Sequence, residues 1–313
     1  MDDFNRSPLN VHSPVLYQYT IDFLQPKSPG KYVDGTIGAG GHAVGILEAS
    51  QPEGCLLGLD IDKQALTIAR RRLKPYGKRA LIVKESYADI DRHLKAVGWK
   101  CVDGIILDLG MSSMQVDSTA RGFSFDKEAP LDMRFDQTST LSADDILNTW
   151  KEEELAEIIR KYGEEPKFRQ IARAIVKNRP LKTTTDLANV VLKVYQGKRR
   201  KTHPATQTFQ AVRMAVNQEL ETLEKGLQKS VEALCIKGRL VVISFHSLED
   251  RLVKQFFQQE SKDCICPPNQ PLCTCGHRAS VRILTKKPIC PTKEEIESNP
   301  RSRSAKLRAI EKI

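Results

Sequence analysis

The chain has 313 residues, of which 40% are hydrophobic and 28% are charged, with a formal net charge of +10. That length is enough for one large domain or two modest ones with a substantial core. No window approaches the roughly 18 uncharged apolar residues that a membrane-spanning helix needs. Residues 1–6 are polar and lack the apolar stretch of a signal peptide, so we expect a cytoplasmic protein.

From Tyr32 to Leu109, short apolar runs alternate with helical stretches of 8–12 residues. This rhythm is typical of βαβ units and predicts a buried parallel sheet. The first unit has a strand, a turn with glycines at 38, 40 and 41, and then a helix, and the next strand ends at Asp60. A glycine turn before a helix N-terminus, followed by a carboxylate about 20 residues later, indicates a site for a nucleotide-like cofactor with Asp60 on its ribose.

Three interpretations of this turn remain open from the residues alone. The spacing Gly38-x-Gly40-x-x-Ala43 matches the loose fingerprint of dinucleotide enzymes. However, Asp34 immediately precedes the turn and would repel a pyrophosphate, whereas S-adenosylmethionine carries an ammonium and a sulfonium and no phosphate. We therefore favour S-adenosylmethionine over a dinucleotide, and both over a purely structural turn.

A second polar motif follows the strand that ends at Asp108 and includes Ser112 and Ser113. In a doubly wound sheet this strand end would lie beside the cofactor. An exocyclic amine of a nucleobase is a poor nucleophile because its lone pair is delocalised into the ring. Short hydrogen-bond acceptors such as these would favour its pyramidal form and hold it in line for attack. The simpler alternative is a plain polar turn.

The rest of the chain predicts one α/β domain with an all-helical insertion. Residues 112–134 look like a loop, and residues 142–194 look like helices, with capping boxes at Thr149 and Thr183. A long amphipathic helix from Ala211 to Leu234, stopped by Gly238, leads into a strand at 239–245. Residues 281–284 and 306–310 would form an antiparallel edge. We assign residues 1–112 and 212–313 to the cofactor-binding domain and 113–211 to the insertion.

Most of the positive charge lies in one segment. Between Pro166 and Arg213 there are twelve lysines and arginines and a single acid, Asp186, so the remainder of the chain is nearly neutral. Four of the twelve are consecutive, at Lys198–Lys201. A solvent-exposed helical face is the simpler interpretation of such a charged segment. The concentration of positive charge in one segment favours binding to nucleic acid.

The eight cysteines do not resemble the disulfide framework of a secreted protein. Four of them form a compact pair of C-x-C motifs at Cys264, Cys266, Cys273 and Cys275. Four thiolates could hold a zinc ion, although C-x₂-C spacing is commoner, and reduced thiols in a surface loop are the preferred interpretation. Cys55, Cys101 and Cys235 lie at the ends of predicted elements, so none is an obvious nucleophile.

Together these motifs resemble the ribosomal RNA small subunit methyltransferase H family, also called MraW. The resemblance covers nearly the whole chain and includes HSPVL (12–16), DGTIGAGGH (34–42), ILDLGMSSMQVD (106–117), RGFSF (121–125), PLDMRFD (130–136), HPATQTFQAVRMAVNQEL (203–220) and VISFHSLEDR (242–251). It implies a class I methyltransferase sheet, S-adenosylmethionine as cofactor, and methylation of N4 of a decoding-centre cytidine in 16S rRNA. It also implies that the helical insertion contributes to RNA binding.

Carried over by motif, the resemblance implies particular site residues. Gly40, Gly41 and His42 would bind the cofactor from the glycine loop, and Asp60 would contact its ribose. Tyr87, where the family often has Phe, would stack on the adenine, and Asp108 and Gln115 would complete the site. For catalysis we expect Asp108, assisted by Ser112 and Ser113, to support direct transfer without a covalent adduct, since an exocyclic amine attacks by itself. The expected partner is 16S rRNA or the 30S subunit, with no membrane and no obligate protein partner.

Overall fold

The computed structural model describes residues 14–112, 115, 118, 120–196, 203–267, 270 and 272–313. By its contacts the chain divides into two compact units. The first comprises residues up to 60, 64–110 and 225–313, and the second comprises residues 61–63 and 111–224. The second unit therefore extends 13 residues beyond the predicted insertion boundary at 211.

The first unit contains a seven-stranded sheet in the order β3-β2-β1-β4-β5-β7-β6. The strands are β1 Lys31–Asp34, β2 Cys55–Asp60, β3 Ala80–Lys84, β4 Val102–Asp108, β5 Leu234–Ser244, β6 Val281–Ile283 and β7 Lys306–Lys312. Strands β1 to β5 are parallel, whereas β7 runs antiparallel to both β5 and β6. The predicted α/β sheet of the class I methyltransferase type and its antiparallel edge are thus confirmed.

Twelve α-helices lie in the described part of the chain. They are α1 Tyr17–Leu24, α2 Gly41–Ala49, α3 Lys63–Leu73, α4 Ile90–Ala96, α5 Ala143–Thr149, α6 Glu152–Lys161, α7 Phe168–Lys177, α8 Thr184–Val194, α9 Ala205–Asn217, α10 Glu219–Ala233, α11 Ser247–Glu260 and α12 Lys293–Ser298. None of these helices is long and apolar enough to cross a membrane. The all-helical character predicted for residues 142–194 is confirmed.

The core of the first unit explains the continuous apolar runs in the sequence. Parallel strands are covered on both faces, so consecutive residues such as Ile105 and Ile106 are both fully buried. Alternate residues of β4, β5 and β7, among them Ile106 and Val241, join one apolar cluster with residues of α1, α2 and α3. In β1 to β4 the charged residues lie at or next to the strand ends, and this concentrates the chemistry of that part of the sheet at its edges.

The predicted long helix from Ala211 to Leu234 is wrong, because the chain forms α9 and α10 with a break between them. Gln218 adopts the left-handed conformation with φ of 48°. The Asn217 side chain causes the break locally, since its Nδ2 donates to the Met133 carbonyl and its Oδ1 accepts from the Phe135 N–H. The apolar spacing continues across the break, which is why periodicity alone missed it. Gly238 does not stop a helix either, because it lies inside β5.

One of the two predicted capping boxes is confirmed. Thr183 accepts from the Asp186 N–H at 3.2 Å, and Asp186 accepts in return from the Thr183 N–H at 2.9 Å. The Thr149 box is wrong, since Thr149 ends α5 and its hydroxyl donates back to the Asp145 carbonyl. The next helix, α6, begins three residues later at Glu152.

A disulfide joins Cys101 to Cys235, a pairing that the spacing did not predict. The two cysteines are 134 residues apart, and the parallel pairing of Val102 with Leu234 brings them together. They lie at the amino edge of the sheet and line a cavity of about 500 Å³ with Lys31 and Cys55. None of the described residues that were predicted for cofactor binding or catalysis lines this cavity.

Candidate active site

The carboxyl edge of the sheet presents three aspartates at the ends of neighbouring strands. Asp34 ends β1, Asp60 ends β2 and Asp108 ends β4. Strand order reverses between β1 and β4, and ligands of doubly wound sheets bind in the crevice outside such a switch point. The fold therefore places all three carboxylates where a cofactor is expected.

The glycine turn after β1 leads directly into α2. Gly40 has φ of 80°, which L-residues with a side chain rarely adopt, and its carbonyl accepts from Val44 as the helix begins. No side chain of the described residues caps this helix and its first turn holds no acid, so its N-terminus is suited to an anion such as a carboxylate. The Gly38 N–H donates to Asp60 Oδ2 at 2.9 Å, which fixes the turn to the end of β2.

His42 and Asp108 form the least satisfied part of this edge. His42 is only 5% exposed, and its Nε2 lies 3.5 Å from Asp108 Oδ2, within ion-pair distance but without a hydrogen bond. Neither ring nitrogen of His42, and not the buried Oδ1 of Asp108, has a hydrogen-bond partner among the described residues. Buried polar atoms normally have a partner in the protein, in ordered water or in a ligand, so these three atoms are candidates for contact with a ligand. The Tyr17 ring lies 6.2 Å from the imidazole and roughly parallel to it.

These atoms fit the methionine end of S-adenosylmethionine. The methionine ammonium would donate a hydrogen bond to Asp108 Oδ1, which has no donor among the described residues. The methionine carboxylate suits the uncapped N-terminus of α2 beside His42. For a phosphate, these residues offer only the N-terminus of α2. The carboxylates of Asp34 and Asp108 would repel a phosphate bound there.

Thr36 positions Asp108, a contact that the sequence analysis missed. The Asp108 N–H donates to Thr36 Oγ1 at 2.6 Å, and the Gly35 N–H donates to the Ile106 carbonyl at 2.9 Å. The turn after β1 is thereby locked to the end of β4. The threonine belongs to the same DGTIG motif as the glycines, but its partner is 72 residues away.

Asp34 is the fully buried member of the three carboxylates. Its pKa is raised from 3.8 to about 7, mainly by burial. His42 and the Thr36 N–H oppose this rise, and the charges of Asp108 and Asp60 make smaller contributions to it. The three carboxylates thus act on one another electrostatically. A pyrophosphate would add negative charge to this cluster, whereas a cationic sulfonium compound would relieve it, which favours S-adenosylmethionine over a dinucleotide.

Tyr87 lies just beyond β3, in a short 3₁₀ turn that Ser86 caps. Its ring packs edge-on against Gly226 of α10 so closely that a side chain there would overlap it. The ring is half-buried, and the Glu85 N–H donates to the Asp60 carbonyl at 2.9 Å. Tyr87, predicted to stack on the adenine, and Asp60, predicted to bind the ribose, therefore lie at or just beyond the ends of two strands that a backbone hydrogen bond joins.

Ser112 and Gln115 lie in the second unit, where they form a buried polar network. The Gln115 side chain accepts from the Ser112 N–H at 3.0 Å and donates to Asp62 at 2.9 Å. Arg121, 2% exposed, forms an ion pair with the same Asp62 oxygen at 3.1 Å and donates to the carbonyls of Arg134 and Phe135. Ser113 lies outside the described residues. The sequence analysis missed Asp62 and Arg121, although Arg121 opens the RGFSF motif.

The basic segment divides into internal and exposed cations. Arg179 donates to the Leu147 and Trp150 carbonyls, and Arg213 pairs with Glu219 at 2.8 Å, so both stabilise the second unit. Arg169, Arg173 and Lys177 are exposed on α7 at a spacing of four residues, which puts them on one face of that helix. Arg173 has a long contact of 3.4 Å to Glu152. The Lys198–Lys201 run lies outside the described residues.

A model of the MraW methylase family matches residues 10–313. The chain belongs to the MraW methylase family. Curated relatives include the ribosomal RNA small subunit methyltransferase H of Thermomicrobium roseum, 52% identical over 98% of this chain and 95% of that protein. The protein of the same name from Syntrophus aciditrophicus is 50% identical over 97% of this chain and 98% of that protein.

Membership of the MraW family makes this chain a methyltransferase with S-adenosylmethionine as its cofactor. A solved structure of an rRNA methylase from Streptococcus thermophilus also aligns over 94% of this chain and 95% of that chain, with 11% identity and a TM-score of 0.44. The assignment to the MraW family rests on the sequence match, and the fold on the strand order described above.

Proposed function

We propose that this protein methylates the exocyclic N4 of a decoding-centre cytidine in 16S ribosomal RNA. The observation that carries the proposal is the unsatisfied Asp108–His42 pair at the switch point of the sheet. Relatives of about 50% identity that bear the name ribosomal RNA small subunit methyltransferase H support the substrate class. The base and the atom rest on the motif resemblance, and a cytoplasmic location follows from the substrate.

Each residue has a separate task in this proposal. Gly40, Gly41 and His42, at the start of α2, bind the methionine carboxylate. Asp60 binds the ribose and Tyr87 stacks on the adenine. When bound, S-adenosylmethionine supplies an electrophilic methyl group on a sulfonium, which an amine can attack in line without a covalent enzyme–base adduct. Asp108 holds the methionine ammonium and accepts a hydrogen bond from the target amine, which favours the pyramidal form of that amine.

The remaining predicted residues act on the side of the base. Ser112 and Gln115 already hydrogen-bond to each other, and the Asp62–Arg121 ion pair fixes Gln115. We assign to Ser112, Ser113 and Gln115 the positioning of the target base and of the adjoining part of the cofactor. The base has to be unpaired or extruded from its helix to reach a crevice of this kind. The excess proton of the methylated amine leaves to solvent or to a nearby carboxylate.

Nucleoside mass spectrometry tests the target directly. Small-subunit RNA from a strain lacking the gene should lack one N4-methyl group on cytidine, and the purified protein should restore it with labelled S-adenosylmethionine. The assay is performed with naked RNA and, separately, with assembled 30S particles. Label on adenosine, or on C5 of cytosine, would contradict the proposed chemistry, and RNA binding without label transfer would indicate an assembly factor instead.

We further propose that the helical insertion, residues 113–211, binds the RNA through its exposed cations. Replacing Arg169, Arg173 and Lys177 with alanine should weaken RNA binding by about tenfold or more at low salt. It should also reduce the slope of log affinity against log salt by about two, because each contact to a phosphate of a single strand contributes about 0.7 to that slope. The corresponding change of Lys198–Lys201 should act in the same direction.

A charge-matched control separates this effect from a general loss of positive charge. Lys78, Lys286 and Lys287 are exposed and lie in the other compact unit. Their joint replacement removes the same charge, and we expect it to leave most of the salt dependence unchanged. Equal slopes for the two triple variants would contradict an RNA-binding role for α7. Salt titrations of RNA affinity, with circular dichroism to verify folding, measure both.

A further inference from the structure

The loop between α11 and β6 brings four cysteines together outside the site described above. They are Cys264, Cys266, Cys273 and Cys275, and their four sulfur atoms all lie within 4.8 Å of one another. The Sγ atom of Cys264 is 3.5 Å from that of Cys273 and 3.8 Å from that of Cys275. The Cys273 and Cys275 sulfurs are 3.6 Å apart. The two C-x-C motifs thus converge on one point.

These separations match the edges of a coordination tetrahedron. A zinc–sulfur bond of about 2.3 Å puts the four ligands of a tetrahedral zinc ion about 3.8 Å from one another. A disulfide would instead require about 2.05 Å between two sulfurs. The same structure contains a disulfide at Cys101–Cys235, so the four cysteines of the loop differ from that arrangement.

The described residues of the loop form no apolar core that could hold the cysteines in place. Leu272 is 77% exposed and Ile265 is 43% exposed, and Cys264, Cys273 and Cys275 are exposed as well. At the base of the loop, the Ser280 N–H donates to the Glu260 carbonyl at 2.8 Å and the Ala279 N–H donates to Asp263 at 3.3 Å. Within the loop, the Gln270 side chain donates to Thr274 Oγ1 at 2.7 Å. Small segments without a core are commonly stabilised by a structural metal.

The backbone also supports anionic sulfur. The Ile265 N–H donates to Cys275 Sγ at 3.5 Å, from the residue between two of the ligands. Such amide–sulfur bonds offset the negative charge that accumulates when several thiolates share one ion. The N–H donor belongs to one C-x-C motif and the sulfur acceptor to the other, so this hydrogen bond holds the two motifs together.

We propose that Cys264, Cys266, Cys273 and Cys275 form a structural zinc site. Four soft thiolates in a tetrahedral arrangement favour zinc among common divalent ions. The part of the chain that the structure describes adds no fifth ligand to the cluster, which suits a closed structural site. The site contributes no residue to the Asp108–His42 edge. Zinc would order the connection between α11 and β6 without taking part in methyl transfer.

Metal analysis of the purified full-length protein tests the proposal. We expect one equivalent of zinc per chain in the wild type, measured by plasma mass spectrometry after dialysis. The double variant Cys264→Ser/Cys273→Ser removes one ligand from each motif and should lose the metal. The matched control, Cys55→Ser/Cys290→Ser, removes two free cysteines outside the cluster and should retain it.

A second measurement does not depend on a variant that folds. Wild-type protein stripped with a chelator under reducing conditions should bind one equivalent of cobalt with the intense visible bands of tetrahedral thiolate coordination. Zinc should displace that cobalt and protect residues 261–280 from limited proteolysis. The proposal is overturned if the reduced wild type binds neither ion, if peptide mapping finds disulfides among the four cysteines, or if iron is the bound metal.

Discussion

Replacing Asp108 with asparagine is expected to lower the rate of methyl transfer by about 10²-fold or more, with little change in RNA affinity. Asparagine keeps the shape of the side chain and leaves the Asp108 backbone contact to Thr36 intact. It removes the negative charge that would bind the methionine ammonium, and it replaces an acceptor by a donor at one oxygen. Transfer of labelled methyl to small-subunit RNA, with the KM for the cofactor, measures the effect.

The control for this variant lies on the same strand. Asp103 is near the amino end of β4, where its carboxylate accepts from the Lys31 N–H at 2.8 Å. Asp103→Asn removes the same charge from the opposite edge of the sheet and should leave the rate within about twofold of the wild type. A near-normal rate for Asp108→Asn, in protein with an unchanged melting temperature and RNA affinity, would show that Asp108 has no role in transfer.

The sheet and its carboxyl edge could be predicted because their signals are local. Buried parallel strands are continuous apolar runs, and the aspartates come directly after those runs at Asp34, Asp60 and Asp108. Since parallel strands end at one edge, their terminal residues had to lie together once the βαβ rhythm was recognised. The glycine turn added the start of α2 to the same edge.

Contacts between distant segments could not be predicted in this way. The Thr36–Asp108 hydrogen bond and the Asp62–Arg121 ion pair join segments 72 and 59 residues apart. Neither is encoded by spacing. The break between α9 and α10 has the same origin, because the Asn217 side chain bonds to the 133–135 segment as well as to the Arg213 carbonyl in its own helix. In each case a tertiary contact determines the local structure.

Asp34 should make the free energy of unfolding depend on pH in an unusual direction. Its pKa is about 7 in the folded protein against an ordinary value of 3.8. The folded state therefore holds the proton more tightly than the unfolded chain does. The contribution of Asp34 to stability is complete below about pH 4 and is lost as pH rises to about 7. A buried carboxylate that forms an ion pair usually shows the reverse: its contribution to stability is lost as the pH falls.

Asp34→Asn isolates this contribution. Asparagine stays neutral and can still accept from the Thr36 N–H, as Asp34 does. The variant should gain about 3 kcal/mol in free energy of unfolding relative to the wild type between pH 5 and pH 8. Urea unfolding at several pH values measures it. Asp91→Asn serves as a control of opposite sign, because the hydrogen bond from Lys229 lowers the pKa of Asp91 and its contribution is lost only in acid.

The same carboxylate should couple cofactor binding to proton release. A sulfonium and an ammonium near Asp34 stabilise its charged form, so the pKa of Asp34 falls and the proton leaves when S-adenosylmethionine binds. Calorimetric titration near pH 6.5, in two buffers of different ionisation enthalpy, should show this release in the wild type and lose it in Asp34→Asn. S-adenosylhomocysteine, which lacks the sulfonium charge, should release less. Equal heats in both buffers would mean that the cofactor cation binds too far from Asp34 to affect its ionisation.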